Sequence, residues 1–311
     1  MGVKMRRKVI QIADSTQLIS LPRKWAQKRG IKKGDELEVN ERGNSIVIST
    51  DRTPGSMEKI IDVSGLTPRL TDRFLARAYQ KGYDKLTFYF DDQEKMKAIQ
   101  HKVPELLGFE IMNHTKNNCT VQSISTNMQI DFNSALRQVF RIIKEMAEIC
   151  LDSYKEGNKI ALNNVESRDY DVNKFAYYCL RTINKTKAHE GGNATMLYYL
   201  LESLEDVGDE YKILAKYLAK LKQNDPLFVS LISKLNEITK LAYEFFYNPK
   251  KKNALSIMNL RKEIEDSIEK KLVTKNINEI KALLAMKSIV TVLYHIPTMR
   301  LDTIKELDIK K

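Results

Sequence analysis

The fold of the N-terminal region is decided by the stretch STQLISLPRKWAQKRGIKKGDELEV, residues 15–39. The apolar run at its start and the alternating polar and apolar residues at its end predict two short strands. Between them, Pro22 stands at the first position of a short helix, where its missing N–H costs nothing, and Gly30 ends this helix. The stretch therefore predicts strand, short helix, turn and strand in close succession.

Two further strands flank this stretch, one at residues 9–12 and one at residues 45–49. Residues 1–50 are thus expected to hold four strands and one helix. A unit of this size buries too little apolar surface to be stable alone. It therefore requires a second copy or the rest of the chain.

The same region is strongly basic. Residues 1–50 contain eleven Lys and Arg against five Asp and Glu. The resulting charge of +6 is half of the chain's formal net charge of +12. An excess of positive charge favours a polyanionic partner or an anionic surface, and does not by itself say which.

Three segments of this region resemble the AbrB-like swapped-hairpin DNA-binding domain: residues 7–9, 21–25 and 31–37, which read RKV, LPRKW and IKKGDEL. In that family two chains interleave their hairpins into one small β-barrel, so the resemblance implies a homodimer that binds DNA. The implied DNA contacts are Arg6, Arg7, Lys8, Arg23, Lys24 and Lys28. The alternative is a barrel that only dimerises the chain, with these residues as a solvated rim.

A second predicted domain covers residues 53–126 and follows a turn-rich linker. Its strands and helices are expected in the order βαβαββ, which suggests a small α/β or ferredoxin-like sandwich. No glycine-rich phosphate loop follows any of its strands, so the sequence does not indicate nucleotide binding. A role as spacer and a role as ligand sensor both stay open.

Helical periodicity dominates from about residue 132 onward. Turn-rich breaks divide the region into six predicted helices of roughly twenty to thirty residues, and short connections imply antiparallel neighbours in bundles. The chain is therefore predicted to be a mainly α, multi-domain protein with domains at residues 1–52, 53–126 and 127–311.

Acidic residues at helical spacing mark two of these helices. Glu205 and Asp209 lie four residues apart in the third helix, and Asp169 and Asn173 have the same spacing in the second. Residues four apart share one stripe, so oxygen ligands from two facing helices could hold a cation. The alternative is a solvated or lysine-paired helix face. Gly208, inside the third helix, suggests a local need for room.

These segments resemble the PhoU family of phosphate-signalling proteins, whose fold is two three-helix bundles with acidic i,i+4 motifs on helices two and three of each. Residues 204–209, LEDVGD, match the third-helix motif, and residues 169–173 match the second-helix motif with an amide in place of one carboxylate. The resemblance covers about residues 132–309 and implies a PhoU-like pair of bundles with a divalent or ferric ion in the first. Residues 286–297 lack the acidic pair expected in the second bundle.

Together, the two resemblances imply a homodimeric DNA-binding transcriptional regulator of phosphate uptake whose helical domain senses phosphate status by metal, anion or partner protein. The alternative is a PhoU-like signalling adaptor that docks on a phosphate transporter or a kinase, with the barrel serving only for dimerisation. We expect no enzyme activity, because the histidines show no ligand spacing and no nucleophile motif occurs. A metal-dependent enzyme with chemistry at Glu205 and Asp209 is a third, weaker alternative.

A cytoplasmic protein without a membrane span is expected. The longest apolar run, residues 282–299, is interrupted by Lys287, His295 and Pro297, which predicts a packed helix. The N-terminus lacks the apolar segment of a signal peptide. The three cysteines are far apart and odd in number, which fits a reducing compartment.

Overall fold

A computed structural model of the full chain describes residues 6–12, 16–42, 45–49, 56–124, 130–186 and 193–305. The chain divides into two compact units, residues 1–55 and residues 56–311. Both domain boundaries predicted from the sequence, near residues 52 and 126, lie outside the described residues.

The first unit contains two antiparallel hairpins and one short helix. Its elements are β1 (Val9–Ile12), β2 (Thr16–Ile19), α1 (Arg23–Arg29), β3 (Glu38–Arg42) and β4 (Ser45–Ser49). Strand β1 pairs with β2, and β3 pairs with β4. Helix α1 ends at Gly30, whose φ of 64° is left-handed and favours glycine. The four predicted strands and the helix are thus confirmed with two shifts. Pro22 is the N-cap of α1 and not its first residue, and β3 lies two residues further along the chain than predicted.

The predicted β-barrel does not close within the described part of one chain. The two hairpins form two separate two-stranded sheets, which cannot enclose a core. The apolar side chains of β1 and β2 are 44–61% exposed; they are Val9, Ile10, Ile12, Leu18 and Ile19. None of the residues of this unit whose burial is described is buried.

The second unit begins with a four-stranded sheet. Its elements are β5 (Glu58–Asp62), α2 (Pro68–Gln80), β6 (Lys85–Tyr89), α3 (Gln93–Lys102), a 3₁₀ turn (Val103–Glu105), β7 (Phe109–His114) and β8 (Asn118–Ser123). The strand order is β5-β6-β8-β7; β5 and β6 are parallel, and the other neighbours are antiparallel. The predicted βαβαββ order is confirmed.

Capping residues fix where both helices of this region begin. Thr67 Oγ1 accepts a hydrogen bond from the Leu70 N–H at 3.3 Å, and Pro68 follows at the first helical position. Asp92 Oδ1 accepts from the Lys95 N–H at 3.1 Å.

Six long helices and one short helix follow in residues 130–186 and 193–305. They are α4 (Phe132–Glu156), α5 (Lys159–Asn163), α6 (Val165–Thr186), α7 (Asn193–Leu218), α8 (Pro226–Tyr247), α9 (Lys251–Lys271) and α10 (Ile277–Thr298). The six long helices confirm the prediction. The sequence does not predict α5, because its five residues are too few to show a helical period.

The long helices form two three-helix bundles. Helices α4, α6 and α7 pack together as the first bundle, and α8, α9 and α10 as the second. The bundles meet where α10 packs on α7 and α8 packs on α4.

Among the described residues, α10 is long and apolar enough to span a membrane by length and composition, with a mean hydropathy of 1.3. Half of this apolar segment is buried inside the protein, including Leu283, Met286 and Ile289, which are fully buried. The prediction of a packed helix is therefore confirmed, and α10 is consistent with a soluble protein.

Candidate functional site

The basic residues that the sequence assigns to DNA contacts are all exposed. They are Arg6, Arg7, Lys8, Arg23, Lys24 and Lys28. The first three directly precede β1, and the last three belong to α1, where Lys24 and Lys28 share one side of the helix. Exposed cationic groups of this kind are accessible to the phosphates of a nucleic acid.

The predicted acidic stripes face each other in the first bundle, with Asp169 and Asn173 on α6 and Glu205 and Asp209 on α7. Gly208 lets the two helices approach closely. A Cβ at this position would lie 3.1 Å from Val172 Cγ1 and 3.4 Å from Asp169 Oδ1. The local need for room that the sequence suggests at Gly208 is thus confirmed.

Lys212 joins the two acidic stripes. Its Nζ lies 2.5 Å from Asp169 Oδ2 and also contacts Asp209 Oδ1. Burial lowers the pKa of Lys212, but the hydrogen bonds to the two carboxylates outweigh it and raise the pKa above its ordinary value. The sequence analysis does not single out Lys212, although its spacing of three residues from Asp209 is a signal for an ion pair within a helix.

Glu205 takes a separate partner. Tyr177 on α6 donates a hydrogen bond from its hydroxyl to Glu205 Oε1 at 3.0 Å. Burial raises the pKa of Glu205 to about 7, although this hydrogen bond opposes the shift, and the negative charge of Asp209 adds to it. Glu205 therefore belongs to the same cluster as Asp209 but does not share the Lys212 ammonium.

Among the residues that the structure describes here, three buried oxygens have no hydrogen-bond partner. They are Asp169 Oδ1, Asn173 Oδ1 and Glu105 Oε2. Glu105 comes from the 3₁₀ turn of the α/β region, and its other oxygen accepts a hydrogen bond from the Lys102 ammonium at 2.8 Å. The Lys102 Nζ also lies 5.9 Å from the centre of the Tyr177 ring. The acidic cluster thus borders on the α/β region, which a helical pattern alone cannot show.

Two of the four predicted metal ligands, Asp169 and Asp209, pair with the Lys212 ammonium. The Lys212 ammonium already occupies the place between Asp169 and Asp209 that a bridging cation would take. Over the described ranges of the chain, no group of three or more His, Cys, Asp or Glu side chains could hold a metal ion. A metal ion at Asp169, Asn173, Glu205 and Asp209 stays a prediction.

The α/β region is anchored on the first bundle by Arg181 of α6. Its guanidinium donates hydrogen bonds to the carbonyls of Tyr79 at 2.9 Å and Tyr83 at 2.6 Å, and to Asp84 Oδ1 at 2.5 Å. Lys185 also contacts Asp84 Oδ1 at 2.5 Å. These contacts neutralise Asp84 and satisfy two backbone acceptors, so they fix the α/β region against the bundle.

The three cysteines are buried, and burial raises the pKa of each thiol to about 12. A buried thiol without a nearby cation is a poor nucleophile. Cys119, Cys150 and Cys179 therefore have the surroundings of packed core residues.

The sequence of residues 10–58 matches the family described as "Antidote-toxin recognition MazE, bacterial antitoxin". The match covers both hairpins and α1, so the first unit contains a MazE/AbrB-type domain. The comparison agrees with the resemblance drawn from residues 7–9, 21–25 and 31–37.

The helical region is similar to the crystal structure of PhoU from Pseudomonas aeruginosa, with a TM-score of 0.48 and 17% sequence identity. The similarity covers 54% of this chain and 93% of that chain. None of the curated proteins searched matches the chain.

Proposed function

We propose that this protein is a homodimeric, cytoplasmic transcriptional regulator in which the N-terminal domain binds DNA and the helical region senses a signal or docks a partner. The observation that carries the proposal is the match of residues 10–58 to the MazE family. A MazE/AbrB-type domain implies DNA binding, typically as a dimer. The exposed basic residues before β1 and on α1 supply the positive charge that this function requires.

The state of the first unit supports a dimer. Its strands carry exposed apolar side chains, among them Ile10 and Ile12 on one face of β1, and Val39. Two copies of the hairpins could bury these side chains against each other, which one copy cannot do. Interleaved hairpins would then form the barrel that a single chain does not close.

The proposed link to phosphate rests on the resemblance of residues 204–209 to the third-helix motif of the PhoU family. On this basis the helical region would report phosphate status to the DNA-binding domain. Phosphate-transport or signalling proteins are the proposed partners. Because the link to phosphate rests on a short motif, inorganic phosphate has to be varied separately from DNA in the experiment.

The second candidate function is a signalling adaptor that docks on a phosphate transporter or a kinase. The exposed apolar side chains of the strands favour it, since a barrel that only dimerises the chain would already bury them. In that case the basic residues would be a solvated rim and would make no contact with DNA.

A DNA titration of the intact protein tests the proposal. Anisotropy of a labelled duplex would be measured over a series of salt concentrations, with and without inorganic phosphate. A DNA-binding regulator should show affinity that falls linearly with salt on a log–log scale, because each neutralised phosphate releases counterions. Absence of salt-dependent binding would favour the adaptor. Binding that phosphate leaves unchanged would retain the regulator and remove inorganic phosphate as its direct signal.

A further inference from the structure

We infer that Lys212 is the resident cation of the acidic pair Asp169 and Asp209, and that it excludes a divalent metal ion from this site. The inference concerns the first bundle only and does not depend on DNA binding. Lys212 would compensate the charge of the two carboxylates, which the resemblance to the PhoU family assigns to a metal ion.

The geometry places a single ammonium between two carboxylates from different helices. Lys212 Nζ contacts Asp169 Oδ2 on α6 at 2.5 Å and Asp209 Oδ1 on its own helix α7. Glu205, Asp209 and Lys212 follow each other at spacings of four and three residues, so they share one stripe of α7. The Lys212 head group therefore lies between the carboxylates of Asp169 and Asp209.

Burial opposes the replacement of the Lys212 ammonium by another cation. Asp169 is 3% exposed and the Lys212 side chain is 29% exposed. A carboxylate that is buried to this degree requires a compensating charge at short distance, which Lys212 provides. A divalent ion bound to the same oxygens would lie next to the ammonium, so it could enter only if Lys212 left the site.

The packing around Gly208 gives the two oxygens of Asp169 different surroundings. Asp169 Oδ1 lies 3.4 Å from the position that a Cβ of Gly208 would take, so this oxygen faces the backbone of α7. Asp169 Oδ2, the other oxygen, is the one that Lys212 contacts. The close approach of α6 and α7 thus directs one carboxylate oxygen to the helix and the other to Lys212.

Mn²⁺ titration followed by electron paramagnetic resonance tests the inference, because the signal of the free ion is lost when the ion binds. The proteins would be treated with chelator and exchanged into metal-free buffer. We expect the wild type to leave the free-ion signal unchanged. Lys212→Met should take up Mn²⁺ near one ion per chain, since it frees two carboxylates for oxygen coordination.

Two further variants control this experiment. Lys216→Met removes the same charge from an exposed position one turn further along α7, and should behave as the wild type. Adding Asp209→Asn to Lys212→Met should abolish the gained binding. Circular dichroism would show that each variant folds.

Stoichiometric Mn²⁺ binding by the wild type that Asp209→Asn abolishes would overturn the inference. It would also be overturned by a folded Lys212→Met protein that binds no Mn²⁺. Should Lys212→Met fail to fold, Lys212→Met combined with Asp169→Asn removes a cation and an anion together. Recovery of folding in that double variant would support the ionic role, and failure to recover would contradict it.

Discussion

Gly208 allows α7 to approach α6 at the acidic cluster. A side chain there would meet Val172, whose Cγ1 lies 3.1 Å from the position of a Cβ. Because the neighbour belongs to a packed helix, it can give way only slightly. The glycine in LEDVGD is thus explained by close packing between the two helices.

Gly208→Val should therefore destabilise the second unit. Overpacking of this kind costs about 1 to 3 kcal/mol. The matched control is Lys216→Val at an exposed position of the same helix, which should cost less than about 0.7 kcal/mol through helix propensity alone. Urea unfolding followed by circular dichroism measures both free energies of unfolding. Equal losses in the two variants would show that Gly208 is not a packing constraint.

Arg23 and Lys28 are expected to act differently on DNA. The planar guanidinium of Arg23 can pair with two acceptors of a guanine, so Arg23→Ala should cost about 1 to 3 kcal/mol and reduce discrimination between sequences. Lys28→Ala should weaken binding to all sequences alike and flatten the log–log salt slope by roughly 0.9 for one lost phosphate contact. Competition titrations with several duplexes separate the two effects. Uniform weakening by Arg23→Ala would assign it to the phosphate backbone.

At the scale of elements, Arg181 of α6 holds the end of α2 and the following turn. It is 8% exposed, and its guanidinium serves the carbonyls of Tyr79 and Tyr83 and the carboxylate of Asp84. A second link is the pair of hydrogen bonds from Arg77 to Glu202, but the Arg77 side chain is 48% exposed. The two links therefore differ in their access to water.

Arg181→Met should destabilise the second unit by about 1 to 3 kcal/mol, because it leaves the partly buried carbonyl of Tyr83 without its side-chain donor, while Asp84 keeps the ammonium of Lys185. Arg77→Met, the exposed counterpart, should cost about 0 to 1 kcal/mol, since water screens its ion pair. Urea unfolding of the two variants gives the comparison. A cost for Arg181→Met as small as that for Arg77→Met would contradict the anchoring role.

The elements that could be predicted from the sequence are those with local signals. Thr67 and Pro68 place the start of α2, and the ranges predicted for β4 and β7, residues 45–49 and 109–114, agree with the structure. Contacts between distant residues left no such signal. Lys212 and Asp169 are 43 residues apart in the sequence, and Arg181 and Tyr79 are 102 apart, so only the fold brings them together. The closed barrel is expected from the family resemblance alone. In the described residues of one chain, the two hairpins form separate sheets and no barrel.

At the scale of the whole molecule, a second copy of the first unit would bury apolar side chains that are exposed in one chain. We expect a dimer in solution with about twice the chain's mass of 36.0 kDa. Ile10→Glu should dissociate it, because Ile10 is 56% exposed in one chain but would be buried in a shared core. Gln11→Glu adds the same charge on the opposite side of β1 and should leave the dimer intact. Light scattering measures the mass of the wild type and of both variants. A monomeric wild type would refute the dimer.

The DNA-binding role is decided by the affinity of a triple variant, Arg7→Ala, Arg23→Ala and Lys28→Ala, across a salt series. Its matched control removes the same charges from exposed positions of the second unit: Arg69→Ala, Arg73→Ala and Lys81→Ala. If the N-terminal domain binds DNA, the triple variant should bind weakly with a flattened salt slope, while the control keeps the wild-type slope. Trp25, the only tryptophan, reports by its fluorescence that the domain remains folded. Equal affinity of the triple variant and the wild type at every salt concentration would show that this surface does not bind DNA.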